Sequence, residues 1–318
     1  MEPVKKQFFI VGTQRSGTTL LRLILNSHSQ IFIPRESFFL MPFLKKRYLK
    51  STISGNSLRA FDENIRSNSL FKGTYIDGNY RFFLSQLFQQ EEIRLKDLMD
   101  FIFSGMCLSE NKSIWGNKTI SFFRKIDILF SLYPHAKFIH IVRDGRDMFD
   151  SWRKMDPGKN NVAFVALDWS IKLYKIEKSL KRIPPNNRIT IRYEDLVSNP
   201  EVIIKSVCSV LEIDYEPGMM DFYKTSHKYT IPHHSELIFK PLDKGNTAKW
   251  KKRLTPREIS IFNLLAGHYL RKYNYEIEKG RMSMSDIAFM LKGLSVGIPQ
   301  RLMQVLFMKR TLEKGLQG

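Results

Sequence analysis

The chain has 318 residues, 43% hydrophobic and 13% aromatic, which suits one large α/β domain or two small ones and excludes global disorder. Lys and Arg number 51 against 31 Asp and Glu, and the resulting charge of +20 favours an anionic partner: a polyanion, an anionic cofactor or a membrane surface. Two cysteines, Cys107 and Cys208, exclude a disulfide scaffold and a four-cysteine zinc site; two buried thiols in a reducing compartment are the plainer reading, and one Cys107–Cys208 bridge is the other.

In chain order, Lys5 and Lys6 lead directly into Phe8–Val11, a run of strand length that ends at Gly12 and does not have the build of a signal peptide. No segment reaches the ~18 uninterrupted apolar residues of a spanning helix. The expected location is cytoplasmic, with peripheral contact at the inner membrane face. Phe8–Val11, Ser113–Gly116, Phe138–Val142 and Ile189–Tyr193 read as buried strands. Helical patterns separate them. Leu20, Leu21, Ile24 and Leu25 form one apolar stripe, and Phe164, Leu167, Ile171 and Tyr174 another, which stops before Ile183-Pro184-Pro185. Strands alternating with helices over long separations predict a three-layer α/β fold, a central parallel sheet flanked by helices. Residues 45–110 read as a helical insertion or lid within a domain of residues 1–275. Residues 226–256 are loop-like and rich in basic side chains, and 276–318 form an amphipathic basic C-terminal tail.

The first predicted strand runs into Gly12-Thr13-Gln14-Arg15-Ser16-Gly17-Thr18-Thr19. G-x4-G followed by two threonines is the spacing of a P-loop, in which backbone N–H groups and the positive end of the next helix face an anion. Thr18 stands where a nucleotide phosphatase carries its lysine, and the cation sits inside the loop as Arg15. Phosphoryl transfer usually recruits both that lysine and Mg²⁺. A sulfuryl group has less charge to neutralise, so backbone donors, hydroxyls and one cation suffice. The same pattern also fits a plain strand–turn–helix whose glycines serve only its backbone angles.

Further stretches follow in order: Pro34-Arg35-Glu36, Gly116-Asn117-Lys118, Tyr133-Pro134-His135-Ala136-Lys137-Phe138, Val142-Arg143-Asp144-Gly145-Arg146-Asp147, Arg192-Tyr193-Glu194-Asp195-Leu196 and Lys249-Trp250. With the loop, they make the chain resemble sulfotransferases that use 3′-phosphoadenosine 5′-phosphosulfate, in particular the tyrosylprotein sulfotransferase branch and its bacterial relatives. The resemblance covers about residues 7–275. It implies that Arg15, Ser16, Gly17, Thr18 and Thr19 grip the 5′-phosphosulfate, while Arg143 and Ser151 grip the 3′-phosphate. Glu36 becomes the general base, and Lys118 steadies charge on the sulfuryl group. Tyr193 either bonds the nucleotide or caps the core with its ring inside. Lys249 reaches a phosphate from a basic loop that closes over the nucleotide. A serine that assists the departing group falls near Ser235, although alignment on Lys240-Pro241 puts His234 in that column.

From the residues themselves, Arg143 also fits a surface network with Asp144, Asp147 and Asp150, and Glu36 a loop carboxylate paired with Arg35. His140, inside a strand, reads as a core residue. The expected function is sulfuryl transfer to an acceptor hydroxyl of carbohydrate, lipid or protein tyrosine, with no metal and no nucleic-acid partner. The rivals are a P-loop kinase or nucleotide phosphatase, and a nonenzymatic basic binding module. The tail, with apolar residues interleaved with Lys292, Arg301, Lys309 and Arg310, fits a helix lying on an anionic membrane or packed on the catalytic domain.

Overall fold

A computed structural model describes residue 4 and residues 6–67, 78–155, 160–225, 239–243, 245–277, 280 and 282–314. Its strands are β1 (Lys6–Gly12), β2 (Ile31–Phe32), β3 (Thr52–Ser54), β4 (Glu92–Arg94), β5 (Ile114–Asn117), β6 (Lys137–Val142) and β7 (Arg188–Arg192). Five of them form one sheet in the order β2-β5-β1-β6-β7, with every pairing parallel. Its helices are α1 (Thr18–Asn26), α2 (Gly55–Ser67), α3 (Gly78–Ser85), α4 (Leu95–Ser109), α5 (Ile126–Leu132), α6 (Gly145–Met155), α7 (Val162–Leu180), α8 (Tyr193–Ser198), α9 (Pro200–Leu211), α10 (Trp250–Arg253), α11 (Pro256–Lys272) and α12 (Met284–Lys314). This is the expected α/β architecture of P-loop type.

The central strand shows why the sheet needs cover on both faces. Phe8, Phe9, Ile10 and Val11 are all buried, and successive side chains point to opposite sides. Phe9 and Val11 join Trp115, Phe138 and the α4 residues Leu98, Ile102 and Phe103 on one side. Phe8 and Ile10 join Leu21 and Ile24 of α1 and Ile204 of α9 on the other. Cys107 belongs to the first cluster and Cys208 to the second, so the two thiols lie on opposite sides of the sheet. A third cluster, around Trp169, Phe262 and Trp250, packs α6, α7, α10 and α11 together.

Four expectations need correction. The sheet has a fifth strand, β2, whose two residues are too few to show a period. The segment expected to be helical carries an antiparallel pair, Thr52–Ser54 with Glu92–Arg94. Tyr193 opens α8 instead of closing a strand. On α7 the buried stripe runs through Val165, Trp169, Leu173, Ile176 and Leu180, while Ile171 and Tyr174 are exposed. The helix carries apolar residues on more than one side because α12 also packs on it, at Phe164, so its period does not single out the core face.

His140 is fully buried at the middle of β6, its Nδ1 3.5 Å from Thr190 Oγ1. Burial pushes the imidazole down to about 4, against a smaller upward pull from Glu177. With the folded value below the ordinary one, the unfolded chain binds more protons between the two. Stability is therefore complete above about pH 6.5 and falls as pH drops toward about 4. Urea midpoints measured across that window should fall less steeply for His140→Gln than for the wild type. Equal slopes would remove His140 as a source of acid sensitivity.

Candidate functional site

The sheet register brings three chain exits together. Gly12 pairs with Ile141, and Val142 with Arg192. The loop after β1, Arg143 after β6 and Tyr193 after β7 therefore emerge side by side at the carboxyl edge of the sheet, where open parallel sheets place their ligand sites. A cavity of about 550 Å³ opens there.

The loop is shaped by contact as well as by backbone angles. A side chain at Gly12 would put its Cβ 2.7 Å from the Ile141 carbonyl oxygen. At Gly17 the backbone is left-handed, with φ of 94°, and a Cβ would lie 2.4 Å from the Tyr193 ring. Arg15 is left-handed too, with φ of 65°. Ser16 turns inward and donates to the Thr13 carbonyl at 2.7 Å. No side chain caps the start of α1. The first-turn N–H groups at Thr18 and Thr19 lack a helical partner, and both residues line the cavity.

Two arginines meet at its centre. Arg15 Nε donates to Ser151 Oγ at 3.0 Å. Arg143 donates through Nη1 to the Arg15 carbonyl at 3.3 Å and through Nη2 to the Asn246 carbonyl at 3.1 Å. Its guanidinium lies 4.2 Å from the centre of the Tyr193 ring, and its buried Nε has no partner among the described residues. Burial, then the charge of Arg143, lowers the Arg15 guanidinium.

The neighbouring aspartates accept their hydrogen bonds from other groups. Asp144 holds the fully buried Arg146 and accepts its backbone N–H. Asp147 accepts the Trp250 N–H at 2.8 Å; burial pushes its carboxyl up, against the opposing charge of Arg143. Asp150 takes Lys154 at 2.8 Å and Arg253 at 2.9 Å. Among the described residues neither Arg15 nor Arg143 is in an ion pair; of the network open on sequence grounds, the electrostatic interaction of Arg143 with Asp147 is present. Arg143 is buried and Arg15 half-buried, and neither guanidinium donates to a carboxylate among the described residues.

Asn246 closes the far side. Its Nδ2 donates to the Tyr193 hydroxyl at 2.7 Å, and its Oδ1 accepts from Lys249 Nζ at 2.7 Å. Tyr193 has its ring inside, and burial pushes its phenol up. Arg146 lies 3.6 Å below the Trp250 ring, which with Asp147 pins the loop carrying Asn246 and Lys249.

Glu36 forms the opposite wall. Lys118, 2% exposed, places Nζ 2.5 Å from Glu36 Oε1 and 3.4 Å from Thr19 Oγ1. Burial lowers the Lys118 ammonium, and Glu36 opposes that shift. The residue after Glu36 is clamped to the end of β5. Ser37 N–H donates to Thr119 Oγ1 at 2.7 Å, Thr119 Oγ1 donates to Asn117 Oδ1 at 2.9 Å, and Asn117 Nδ2 donates to Ser37 Oγ at 2.9 Å.

Of the sequence-predicted residues, Arg15, Gly17, Thr18, Thr19, Glu36, Arg143, Ser151, Tyr193 and Lys249 line one cavity. Ser16 and Lys118 sit behind its wall, and Ser235 lies outside the described residues. Asn246, Ser37 and Thr119 were not singled out from the sequence. Asn246 stood within the basic loop, and nothing local marked the other two.

Fold and cavity together define an α/β protein of P-loop type with an arginine-lined crevice at the carboxyl edge of its sheet. The Sulfotransferase family model matches residues 7–217, and the chain belongs to that family. It is 24% identical over 239 residues to protein-tyrosine sulfotransferase 1 of Danio rerio, covering 73% of this chain and 57% of that protein. An uncharacterized protein of Aquifex aeolicus is 22% identical over 289 residues, covering 87% of this chain and 34% of its own length. The chain thus spans about a third and a little over half of these two relatives. The sulfotransferase domain of the Synechococcus PCC 7002 olefin synthase has a similar fold, with a TM-score of 0.60 at 19% identity, covering 87% of this chain and 98% of that domain.

Gly17→Ala should lower stability by about 1–3 kcal/mol, through its left-handed backbone and the Tyr193 contact. Urea unfolding measures this. An unchanged midpoint would show that Tyr193 and the loop separate freely.

Proposed function

We propose that the protein transfers a sulfuryl group from 3′-phosphoadenosine 5′-phosphosulfate to an acceptor hydroxyl. The observation that carries this is the meeting of Arg15, Arg143 and Ser151, with no carboxylate hydrogen-bonded to either guanidinium among the described residues, in a cavity of nucleotide size beside the bare start of α1. Family membership supplies the reaction class. The loop and the α1 N–H groups take the 5′-phosphosulfate. Arg143 and Ser151 take the 3′-phosphate, and Lys249 and Tyr193 border the nucleotide. No metal is called on. Ser235 keeps its proposed role beside the leaving group.

In the proposed mechanism Glu36 accepts the acceptor's proton as its oxygen attacks sulfur. The new O–S bond forms in line with cleavage of the bond to the 5′-phosphate, and adenosine 3′,5′-bisphosphate departs. Lys118 contacts both Glu36 and Thr19, so one ammonium lies between the base and the loop and is placed to steady charge on the sulfuryl oxygens. The acceptor is a hydroxyl of sugar, lipid or protein tyrosine.

Calorimetry with adenosine 3′,5′-bisphosphate in the presence of a chelator tests the donor site. Tight binding without metal is expected, and Arg143→Ala should weaken it about ten- to hundredfold, the worth of charge-assisted hydrogen bonds. Binding only of ATP, and only with Mg²⁺, would instead support a kinase or nucleotide phosphatase.

Glu36→Gln should leave that affinity within about twofold while turnover falls about 10²- to 10⁴-fold, the usual weight of a general base. Transfer from radiolabelled donor to a phenol or sugar acceptor gives the rate. Undiminished turnover would remove Glu36 from the base role.

A further inference from the structure

The long C-terminal helix α12 has two unlike sides. Its 31 residues extend about 46 Å at 1.5 Å per residue. One side seats on α7 through two glycines. A Cβ at Gly297 would lie 2.6 Å from Phe164 Cβ, and one at Gly293 2.8 Å from Asn161 Oδ1. Asn161 Nδ2 also donates to the Gly293 carbonyl at 2.6 Å, and Met290 is buried beside them. The packing expected of the tail is therefore real, but it uses only this side.

The other side has no cover among the described residues. Leu291, Ile298, Leu302 and Leu306 recur at helical spacing, with Met303 next to them, and all five are exposed, Leu302 by 59% and Leu306 by 58%. Exposed apolar side chains recurring over this length, broken on this face by exposed Ser295, are uncommon on a surface that meets only water. The helix holds five basic residues against two acidic ones, Asp286 and Glu313. Arg257 engages Asp286. Lys292 and Arg310 are exposed along the stripe. Arg301 adds its charge to Arg124 and Lys172 on the body of the protein, where burial already lowers both cations.

Among the described residues no helix is long and apolar enough to cross a membrane. A helix with one seated side, one apolar side and flanking cations suits the plane of a lipid interface. Pairing with a second copy would bring the same cations against each other in a chain of charge +20. We propose that the outward face of α12 docks the protein on an anionic lipid membrane, with the Leu291–Leu306 stripe entering the interface and Lys292 and Arg310 meeting the headgroups. This does not rest on the sulfuryl-transfer proposal.

The test is co-sedimentation of the full chain with phosphatidylcholine vesicles and with equimolar phosphatidylcholine–phosphatidylglycerol vesicles. Binding to the anionic vesicles is expected, weakened by added salt. L302E combined with L306E should cut partitioning about tenfold or more. Neither residue touches the nucleotide cavity, so an unchanged calorimetric response to adenosine 3′,5′-bisphosphate would show the variant folded; should that nucleotide fail to bind the wild type, an unchanged circular dichroism melt serves instead. Three results would overturn the proposal: no binding to anionic vesicles, equal binding by the folded variant, or a concentration-dependent dimer in sedimentation velocity that the same double substitution disperses.

Discussion

The confinement of two positive side chains at adjacent strand ends organises this molecule. Arg143 is 9% exposed and half-buried Arg15 is held against it, and neither forms an ion pair among the described residues, the Asp147 carboxylate acting on Arg143 only through its field. That arrangement is unfavourable alone, and the surroundings offset it with oxygen atoms: the Arg15 and Asn246 carbonyls and the Ser151 hydroxyl. The Tyr193 ring gives Arg143 a further electron-rich face. Around this pair, Asp144, Asp147 and Asp150 serve structural partners. Asp144 fixes Arg146, Asp147 pins Trp250, and Asp150 collects Lys154 and Arg253. Among the described residues none of the three accepts a hydrogen bond from Arg143, although the charge of Arg143 still reaches Asp147.

The second wall follows a related economy. Lys118 arrives from the end of β5, outside the loop, yet its Nζ approaches the Thr19 hydroxyl. The position that Thr18 leaves without a cation is approached from another strand. Such a lysine must be held by the tertiary structure, and the Ser37–Asn117–Thr119 clamp joins its strand to the segment bearing Glu36.

How much of this was legible varies with the distance between partners. The loop, the strand leading into it and the residues at the ends of β5, β6 and β7 were readable because local spacing and buried runs mark them. β2 was not, since two residues carry no period, and neither was the β3–β4 pair, whose strands are separated by α2 and α3. The stripe on α7 was misread because a helix packed on two sides loses a single apolar direction. Asn246 serves Tyr193 and Arg143, which lie 53 and 103 residues before it, so no local spacing marks it. It lies beyond the segment matched by the family model, as do Lys249 and all of α12.

The touch between Gly17 and the Tyr193 ring binds two distant positions into one unit of volume. The ring fills the space that a side chain at residue 17 would need, so the loop keeps its shape only while an aromatic plane closes it from β7's end. In descendants of this chain the two sites are bound to vary as a couple: a larger residue at one is admissible only with a smaller one at the other, and the arginine stacked on the ring must follow the exchange.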